Sequence, residues 1–378
     1  MSGDLYYRVS VSAGAAGYDL SKDLTTLTVD EEGCRPHQLV VEMSDPYKVL
    51  SHALREGMDV EVDLGTADDH SIVFRGRIYK IDGTFPETGV PQLTFTAYDR
   101  SMRMGLRKRN RPWTDIALSS LVEEIAGACF NGNVTVNLRG DPEFTGNGIR
   151  QQDETDLAFL LRLGARYGAE MFVISGDEED AFHFESQYHI MTAEPEITLY
   201  HGRCGAPARL IRFEAGSDVG DIQLPRVFSG IEYDSGEPTE ATTAPVEEVG
   251  EDEDPFVDEN LTAFADREPE RAARLEQLLA AAETVEVALR EELGGEERVP
   301  VTGFVSQEEL DIRAENQFST RIRGMRAEGA ANGNHRIRSQ SNILIRDVGG
   351  RFSGTWYLTR VRHILNREGY QTEIECRR

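Results

Sequence analysis

At 378 residues the chain is long enough for two or three domains with hydrophobic cores. Its formal net charge of −27, with 67 acidic residues against 36 Arg and 4 Lys, argues against a partner held through nucleic-acid phosphates. We find neither a signal peptide nor an apolar run of about 18 residues, so synthesis in the cytoplasm without a membrane span is expected. The Arg-rich, acidic usage is typical of a high-GC organism and is compatible with a halophile.

Residues 1–105 are predicted to form a first small antiparallel β-barrel. A short helix is predicted within residues 46–57, crossing the barrel. The unit ends in a hairpin with strands at 74–81 and 92–98. Alternating runs punctuated by Gly, Asp and Pro predict the earlier strands, notably at 24–29, 38–43 and 59–64.

After residue 110 the hydrophobic period changes from strand-like to helix-like. Thr114 is a candidate N-cap, and an apolar stripe at i, i+3, i+4 and i+7 follows it. The stripe consists of Leu118, Leu121, Val122 and Ile125.

A second helix is predicted after Asp153 and Glu154, because acidic charges favour a helix N-terminus. Gly168 is placed to end this helix. Two strands, at 169–174 and 181–185, complete an α+β module assigned to residues 106–200.

The second barrel is predicted to be discontinuous, with one part at 201–236 and the other at 300–378. An acidic insert, assigned to 237–299, separates the two parts. Residues 232–266 hold 13 acidic residues and no Lys or Arg, which predicts a flexible solvated loop. Helical composition follows at 268–292.

Further elements of this second half are predicted from composition and alternation. They are strands at 209–213, 227–233 and 342–346, and a helix at 308–326.

The last 28 residues predict a hairpin with a turn at 366–369. Trp356, Leu358, Val361 and Ile364 are expected to point one way. This hairpin is similar to the one that ends the first barrel, with Ile78 and Ile81 matching Val361 and Ile364. Leu93, Phe95 and Ala97 match Thr372, Ile374 and Cys376. A hairpin used twice predicts one β unit built twice in one chain.

The segment 100–113 is the only dense basic stretch in the sequence. It could face an acidic partner or nucleic acid, or it could be a solvated linker that pairs with the chain's own acids. A possible interaction surface is assigned to five residues: Arg103, Arg107, Lys108, Arg109 and Arg111.

No metal, cofactor or catalytic residue is assigned. His183, His189 and His201 match no ligand spacing, and the acidic run 251–259 lacks the order of a calcium loop. The four cysteines form no C-x-x-C pair and are expected to be small buried hydrophobes. Because no nucleophile elbow or Gly-rich phosphate loop is present, the chain is predicted not to be an enzyme.

Three segments carry a resemblance to a known family. They are 113–125, which opens the helical module, 151–170, and 350–363 with 369–373. The stretch E-T-D-L-A-F-L-L-R-L-G-A-R-Y-G in the second segment is similar to the pattern E-S/T-D-L-x-F-L-x-R-L-A-x-x-Y-G. On these segments the chain resembles the phage late control gene D family. These are baseplate hub proteins of contractile tails, related to the hub portion of type VI secretion spike proteins.

The resemblance implies a homotrimer with two barrels per subunit. The six barrels would form a pseudo-sixfold ring that joins a hexameric tail tube to a trimeric spike, beside other baseplate proteins. Residues 240–292 have no counterpart in the family, and no fused lysozyme domain, oligosaccharide-binding barrel or needle is expected. The alternatives are a cell-wall-degrading tail enzyme, an effector-carrying spike adaptor and a monomeric adaptor for tail proteins.

Overall fold

The computed structural model describes residues 5–145, 148–176, 178–203, 205–206, 208–218, 226–232, 235–243, 262–292, 297–317 and 324–378. The fold is mainly β and of the α+β class, as the sequence predicts. Among the described residues, a 13-stranded sheet runs through two barrel-like units and four smaller sheets flank it.

The first unit contains seven strands, hydrogen-bonded in the spatial order second, first, fifth, sixth, seventh, fourth, third. Their inward side chains form one apolar core, in which Val29, Val62 and Phe95 are fully buried. The strands are β1 (Leu5–Ala13), β2 (Ala16–Asp19), β3 (Leu24–Glu32), β4 (Gln38–Ser44), β5 (Asp59–Thr66), β6 (His70–Thr84) and β7 (Gln92–Tyr98).

The β1–β2 hairpin continues past its last strand pair, Ser10 with Asp19, to the turn before β3. The Leu20 amide donates to the Val9 carbonyl at 2.8 Å, and the Val9 amide donates to the Ser21 hydroxyl at 3.0 Å. The helix expected within 46–57 is confined to α1 (Leu50–Ala53), whose buried Leu50 covers one end of the core. The helical part of this segment is therefore four residues long and lies at one end of the barrel core.

The middle module surrounds three helices, α2 (Leu118–Phe130), α3 (Asp156–Tyr167) and α4 (Gln187–Thr192). A short 3-10 helix, Arg100–Gly105, leads into it. Its strands are β8 (Lys108–Trp113), β9 (Ile116–Ala117), β10 (Val134–Asn137), β11 (Glu143–Phe144), β12 (Ile149–Thr155), β13 (Ala169–Ser175) and β14 (Asp180–Ser186).

The start of α2 differs from the expectation. The N-cap is Ala117 and makes no side-chain cap, because Asp115 has φ +54° and the chain first forms β9. The Asp141 carboxylate instead accepts from the Ser119 amide at 2.9 Å. Thr114 therefore does not cap the helix.

The ends of α3 are confirmed in part. The Thr155 hydroxyl caps it by accepting from the Ala158 amide, and Gly168 ends it with φ +64°. Asp153 and Glu154 lie in β12, one residue or more before the helix, so the acid that meets its dipole is Asp156.

The second barrel is closed by six strands. Each strand pairs with two neighbours around the ring, and Trp356, Leu358, Val361 and Ile374 lie fully or almost fully buried inside. The strands are β15 (Ile197–His201), β16 (Arg209–Ser217), β20 (Met325–Asn332), β21 (Asn342–Arg346), β22 (Gly354–Asn366) and β23 (Gly369–Arg377).

The two units repeat one strand order along the chain. The pairs β3 and β16, β4 and β20, β5 and β21, β6 and β22, and β7 and β23 occupy the same places, with antiparallel neighbours throughout. The sixth pair differs, since β1 runs antiparallel to β5 whereas β15 runs parallel to β21. The predicted duplication is therefore present in five strands of six.

The predicted match of Ile78 and Ile81 with Val361 and Ile364 is wrong, because each hairpin contains a β-bulge. One lies between Ile78 and Lys80, the other between Leu358 and Arg360, at the same place in the two copies. Ile78 therefore corresponds to Leu358.

By the same shift, Ile81 corresponds to Val361. Beyond the bulge the inward residues are Val361, His363 and Leu365, while Ile364 is only partly buried.

A separate three-stranded sheet lies in the insert between β16 and β20. It contains β17 (Arg226–Ile231), β18 (Pro238–Thr242) and β19 (Glu297–Phe304). The strand predicted at 227–233 is thus not part of the second barrel, because it pairs only with β18 and β19 within the described residues. The stretch 238–242, expected to be a flexible loop, is a strand of this sheet.

The insert also contains α5 (Pro269–Glu292) and α6 (Gln307–Asn316), and residues 262–267 are helical as well. The helix expected at 308–326 ends at Asn316, and β20 already occupies Met325 onward. Glu309 of α6 accepts from Tyr167 at 3.0 Å and from Arg166 at 3.1 Å, both at the end of α3, which fixes the insert against that helix. The acidic run 251–259 lies outside the described residues, so its comparison with a calcium loop rests on the sequence alone.

Strand β22 also joins the two units. Residues 360–365 pair antiparallel with residues 27–32 of β3. The Arg360 guanidinium contacts the Asp30 carboxylate at 2.6 Å and Glu375 at 3.1 Å. We call this β22–β3 pair the seam between the two barrels. Strand β22 of the last hairpin therefore belongs both to the second barrel and to the seam.

Candidate functional site

The five basic residues assigned to an interaction surface divide into two groups. Lys108 and Arg109 of β8 pair with Asp153 at 3.1 Å and Asp156 at 2.9 Å. Arg111 lies 3.7 Å from Asp156. These three cations hold β8 against β12 and the start of α3, as in the alternative in which the segment pairs with the chain's own acids.

Arg103 and Arg107 are placed differently. Both are exposed, and within the described part of the chain neither forms an ion pair. Arg103 lies in the 3-10 helix and lines a cavity of about 560 Å³ between the first unit and the middle module. These two side chains are the part of the basic segment that is open to a partner.

The cavity beside Arg103 is strongly charged. Arg75 contacts Glu61 at 2.9 Å and Asp180 at 3.1 Å, and so ties β6 to β14. Asp180 is fully buried, and burial raises the pKa of its carboxyl against the attraction of Arg75 and Arg100. The cavity is a polar contact between units rather than an apolar ligand pocket.

A second cavity, of about 250 Å³, lies where the first unit, the middle module and the second barrel meet. Glu31 of β3 is 1% exposed, and both of its oxygens face Arg338, at 2.7 and 3.0 Å. The Ser339 amide also donates to Glu31. Burial raises the pKa of the Glu31 carboxyl, but attraction to Arg338, His37 and His363, together with the hydrogen bond from Arg338, outweighs it and the pKa is lowered.

The loop that carries Arg338 contacts the first unit at two further points. Arg338 donates to the Val73 carbonyl at 3.2 Å, and Arg336 contacts Asp69 at 2.9 Å. This loop, 333–341, occupies the place that 45–58 takes in the first unit. The two barrels are therefore joined by a strand pair and by a polar loop.

The middle module is bonded to the shared strand. The Tyr357 hydroxyl of β22 donates to Glu170 of β13 at 2.6 Å. Burial raises the pKa of the Glu170 carboxyl, while the hydrogen bond from Tyr357 acts in the opposite direction. Tyr357 also packs in a small apolar cluster with Phe172 and Ile190.

Two of the three histidines considered for a metal lie near one carboxylate, and the third lies on another strand. Glu185 lies 2.6 Å from Nδ1 of His183 and 3.5 Å from Nε2 of His189, while His201 lies at the end of β15. Among the described residues, no group of three or more His, Cys, Asp or Glu side chains is arranged to hold a metal ion.

The cysteines were expected to be buried. Cys376 is buried, whereas Cys34 and Cys129 are partly exposed. All three are free, and Cys204 lies outside the described residues.

Sequence reasoning missed an apolar end surface on the first barrel. Tyr47 is 86% exposed, Val49 61%, Phe85 54% and Val90 53%. The Asp45 amide donates to the Pro91 carbonyl at 2.9 Å, which holds the two segments at the same end. The signal was a set of apolar residues in turns, where solvated residues are the rule.

The fold is similar to that of solved phage tail proteins. A tail protein from Neisseria meningitidis MC58 matches with a TM-score of 0.61 and 14% identity, over 98% of this chain and 96% of that one. A 43 kDa tail protein of prophage MuSo2 from Shewanella oneidensis matches with a TM-score of 0.60 and 11% identity, over 98% of each chain.

A type VI secretion component has the same fold. The E. coli c3393 protein, described as structurally similar to the T4 bacteriophage tail proteins gp27 and gp5, matches with a TM-score of 0.56 and 12% identity, over 94% of this chain and 73% of that one. No protein-family model matches the chain, and no curated protein matches its sequence. The chain therefore has the fold of phage tail and type VI secretion proteins.

None of the helices in the described ranges combines the length and the apolar character needed to cross a membrane.

Proposed function

We propose that this chain is a structural baseplate hub of a contractile tail or injection system. Three copies form a ring of six barrels that joins a hexameric tail tube to a trimeric spike. The observation that supports this most is the repeated strand order of the two units within one chain. The likeness to tail proteins supports it through the fold.

The physical reason is symmetry matching. A ring of three identical chains has three equivalent interfaces, whereas a hexameric tube presents six. A chain with two similar barrels offers six similar surfaces from three copies. The apolar end surface at Tyr47, Val49, Phe85 and Val90 suits a stacking contact along the axis of such a ring.

We propose the division that the sequence predicts, with a first barrel at 1–105, a middle module at 106–200 and a second barrel from 201–236 and 300–378, corrected at the second barrel. That barrel consists of β15, β16 and β20–β23, whereas β17, β18 and β19 form a sheet of their own. The insert at 237–299 has no assigned role in the ring. Arg103 and Arg107 remain the proposed basic contact surface, for a protein partner rather than nucleic acid, because the chain's net charge is −27.

Light scattering of the purified chain tests the ring. We expect three times the mass of the 42.2 kDa chain at high salt. Because each chain carries −27 and screening weakens below molar salt, dissociation should increase as the salt falls. A monomer at every salt concentration would contradict the proposal, and turnover of peptidoglycan would favour a cell-wall-degrading tail enzyme.

A further inference from the structure

The seam between the two barrels joins different strands of the repeated unit. It pairs β22, which corresponds to β6, with β3, which corresponds to β16. A contact between two non-equivalent edges is heterologous, and repetition of such a contact produces a ring or a filament. Each chain uses this contact once internally, and within the described residues one further edge of each type has no strand beside it.

The retained edge of β6 is its last part. In β22, residues 360–365 lie between β23 and β3, and Val361 is fully buried. In β6, residues 80–84 pair with β7 on one side, and among the described residues no strand pairs with them on the other. Residues 82–84 are exposed and Ile81 is only partly buried.

The retained edge of β16 shows the same difference. Leu27 and Val29 of β3 are fully buried, facing β22 on one side and β4 on the other. The corresponding residues of β16, Phe213 and Ala215, are only partly buried, and Ile211 is 47% exposed. Within the described chain, β16 pairs with β15 only at residues 209–210, so 211–217 lack a second ladder.

Strand direction is compatible with a ring. Following the antiparallel pairs from β6 through β7 and β4 to β3, and then to β22, places β6 and β22 in the same direction. The two barrels are therefore oriented alike, as rotation about a common axis requires. In a face-to-face pair of barrels, by contrast, β6 and β22 would run in opposite directions.

We infer that residues 80–84 of β6 pair antiparallel with residues 214–218 of β16 of a second copy of this chain. The inference rests on the proposed ring and specifies its intersubunit contact. The register copies the internal seam, in which Arg362 opposes Asp30. In this register Asp82 opposes Gly216 of the next copy, Lys80 opposes Asp218, and Thr84 opposes Glu214.

A cysteine pair tests the register. Opposed residues of antiparallel strands have Cα atoms about 4.5–5.5 Å apart, within the range that a disulfide spans. Asp82 is exposed, and a Cβ added at Gly216 meets no atom within 4 Å, so both sites accept a cysteine. We expect the Asp82→Cys, Gly216→Cys chain to give disulfide-linked trimers on mild oxidation, which reductant returns to monomers on a denaturing gel.

The matched control shifts one cysteine along the same edge. Asp82→Cys with Arg212→Cys places the partners four residues out of register, about 13 Å apart, and should give no linked trimer. The unmodified chain, with its native cysteines, and the two chains that carry only one of the added cysteines should also stay unlinked. Linking in either single variant, or equal linking in both pairs, would overturn the register.

A trimeric mass without linking in the Asp82→Cys, Gly216→Cys chain would overturn this interface and leave the ring standing. A monomeric mass would overturn both proposals. Lys80→Glu provides a second test that needs no new cysteine, because it places like charges opposite each other and should weaken association about two- to fivefold. Lys22→Glu, the same charge change at an exposed lysine in the turn before β3, should leave the mass unchanged, and an equal effect of the two variants would contradict the inferred edge.

Discussion

Replacing Arg338 with methionine is expected to lower the free energy of unfolding by about 3–5 kcal/mol. The substitution keeps most of the side-chain volume but removes the charge that faces both oxygens of Glu31. Glu31 is 1% exposed, so its carboxylate would be left buried without its charged partner. Urea denaturation at neutral pH measures the change through the midpoint at constant slope.

The matched control is Arg77→Met. Arg77 also pairs with a carboxylate, Asp59 at 2.9 Å, but both side chains are about half exposed. That pair should contribute less than about 1 kcal/mol. Similar losses in the two variants would show that Glu31 is solvated and that the seam does not depend on the buried pair.

A double variant, Arg338→Met with Glu31→Gln, should recover part of the loss, because no uncompensated charge remains buried. The pH dependence gives the same information independently. Because the pKa of Glu31 is lowered in the fold, its contribution is present above the unfolded pKa and is lost as the pH falls through the folded pKa.

The second large effect is a loss of stability on acidification that depends on His363. This side chain is fully buried, and burial lowers the pKa of its imidazole from 6.5 to about 4. Between these values the unfolded chain binds a proton that the folded chain does not. Stability should therefore fall by about 3 kcal/mol as the pH decreases from 6.5 to 4, and be restored as the pH rises.

The paired variant His363→Leu, Tyr370→Phe removes the imidazole together with the hydroxyl that lies 2.7 Å from its Nδ1. It should be less steeply pH-dependent over this interval than the unmodified chain. Because burial also lowers the pKa of His335, part of the slope should remain. His52→Gln, at an exposed histidine, should leave the slope unchanged. Parallel curves for the paired variant and the unmodified chain would show that His363 is not responsible.

Local patterns predicted several elements correctly. The alternation in 369–377 and the turn at 366–369 define the final hairpin, and Gly168 ends α3. These signals depend on neighbours in sequence, so they can be recognised without tertiary information. The bulge at residue 359 is different, because it reverses the alternation after Leu358 and brings His363 into the core where Ile364 was expected.

Two elements of the second half were beyond sequence patterns. Strand β20, Met325–Asn332, is rich in Ala and Gly and has weak strand propensity, yet it lies between β16 and β23 in the closed barrel. The polar junction was also unforeseen, since Glu31 and Arg338 are 307 residues apart. Nothing in either local sequence indicates that one will be buried against the other.

The sequence by itself determined the mainly β class, the duplicated hairpin, the helices of the middle module and the acidic balance of the chain. These follow from periodicity, capping chemistry and composition, which act over a few residues. Only the tertiary structure decided that β22 joins both barrels and that three of the basic residues pair within the chain. It also decided that, among the described residues, the edges at 80–84 and 211–217 each have a strand on one side only. Strand pairing between distant segments depends on the complete sheet, because every strand has two edges and its own sequence does not specify which neighbours they meet.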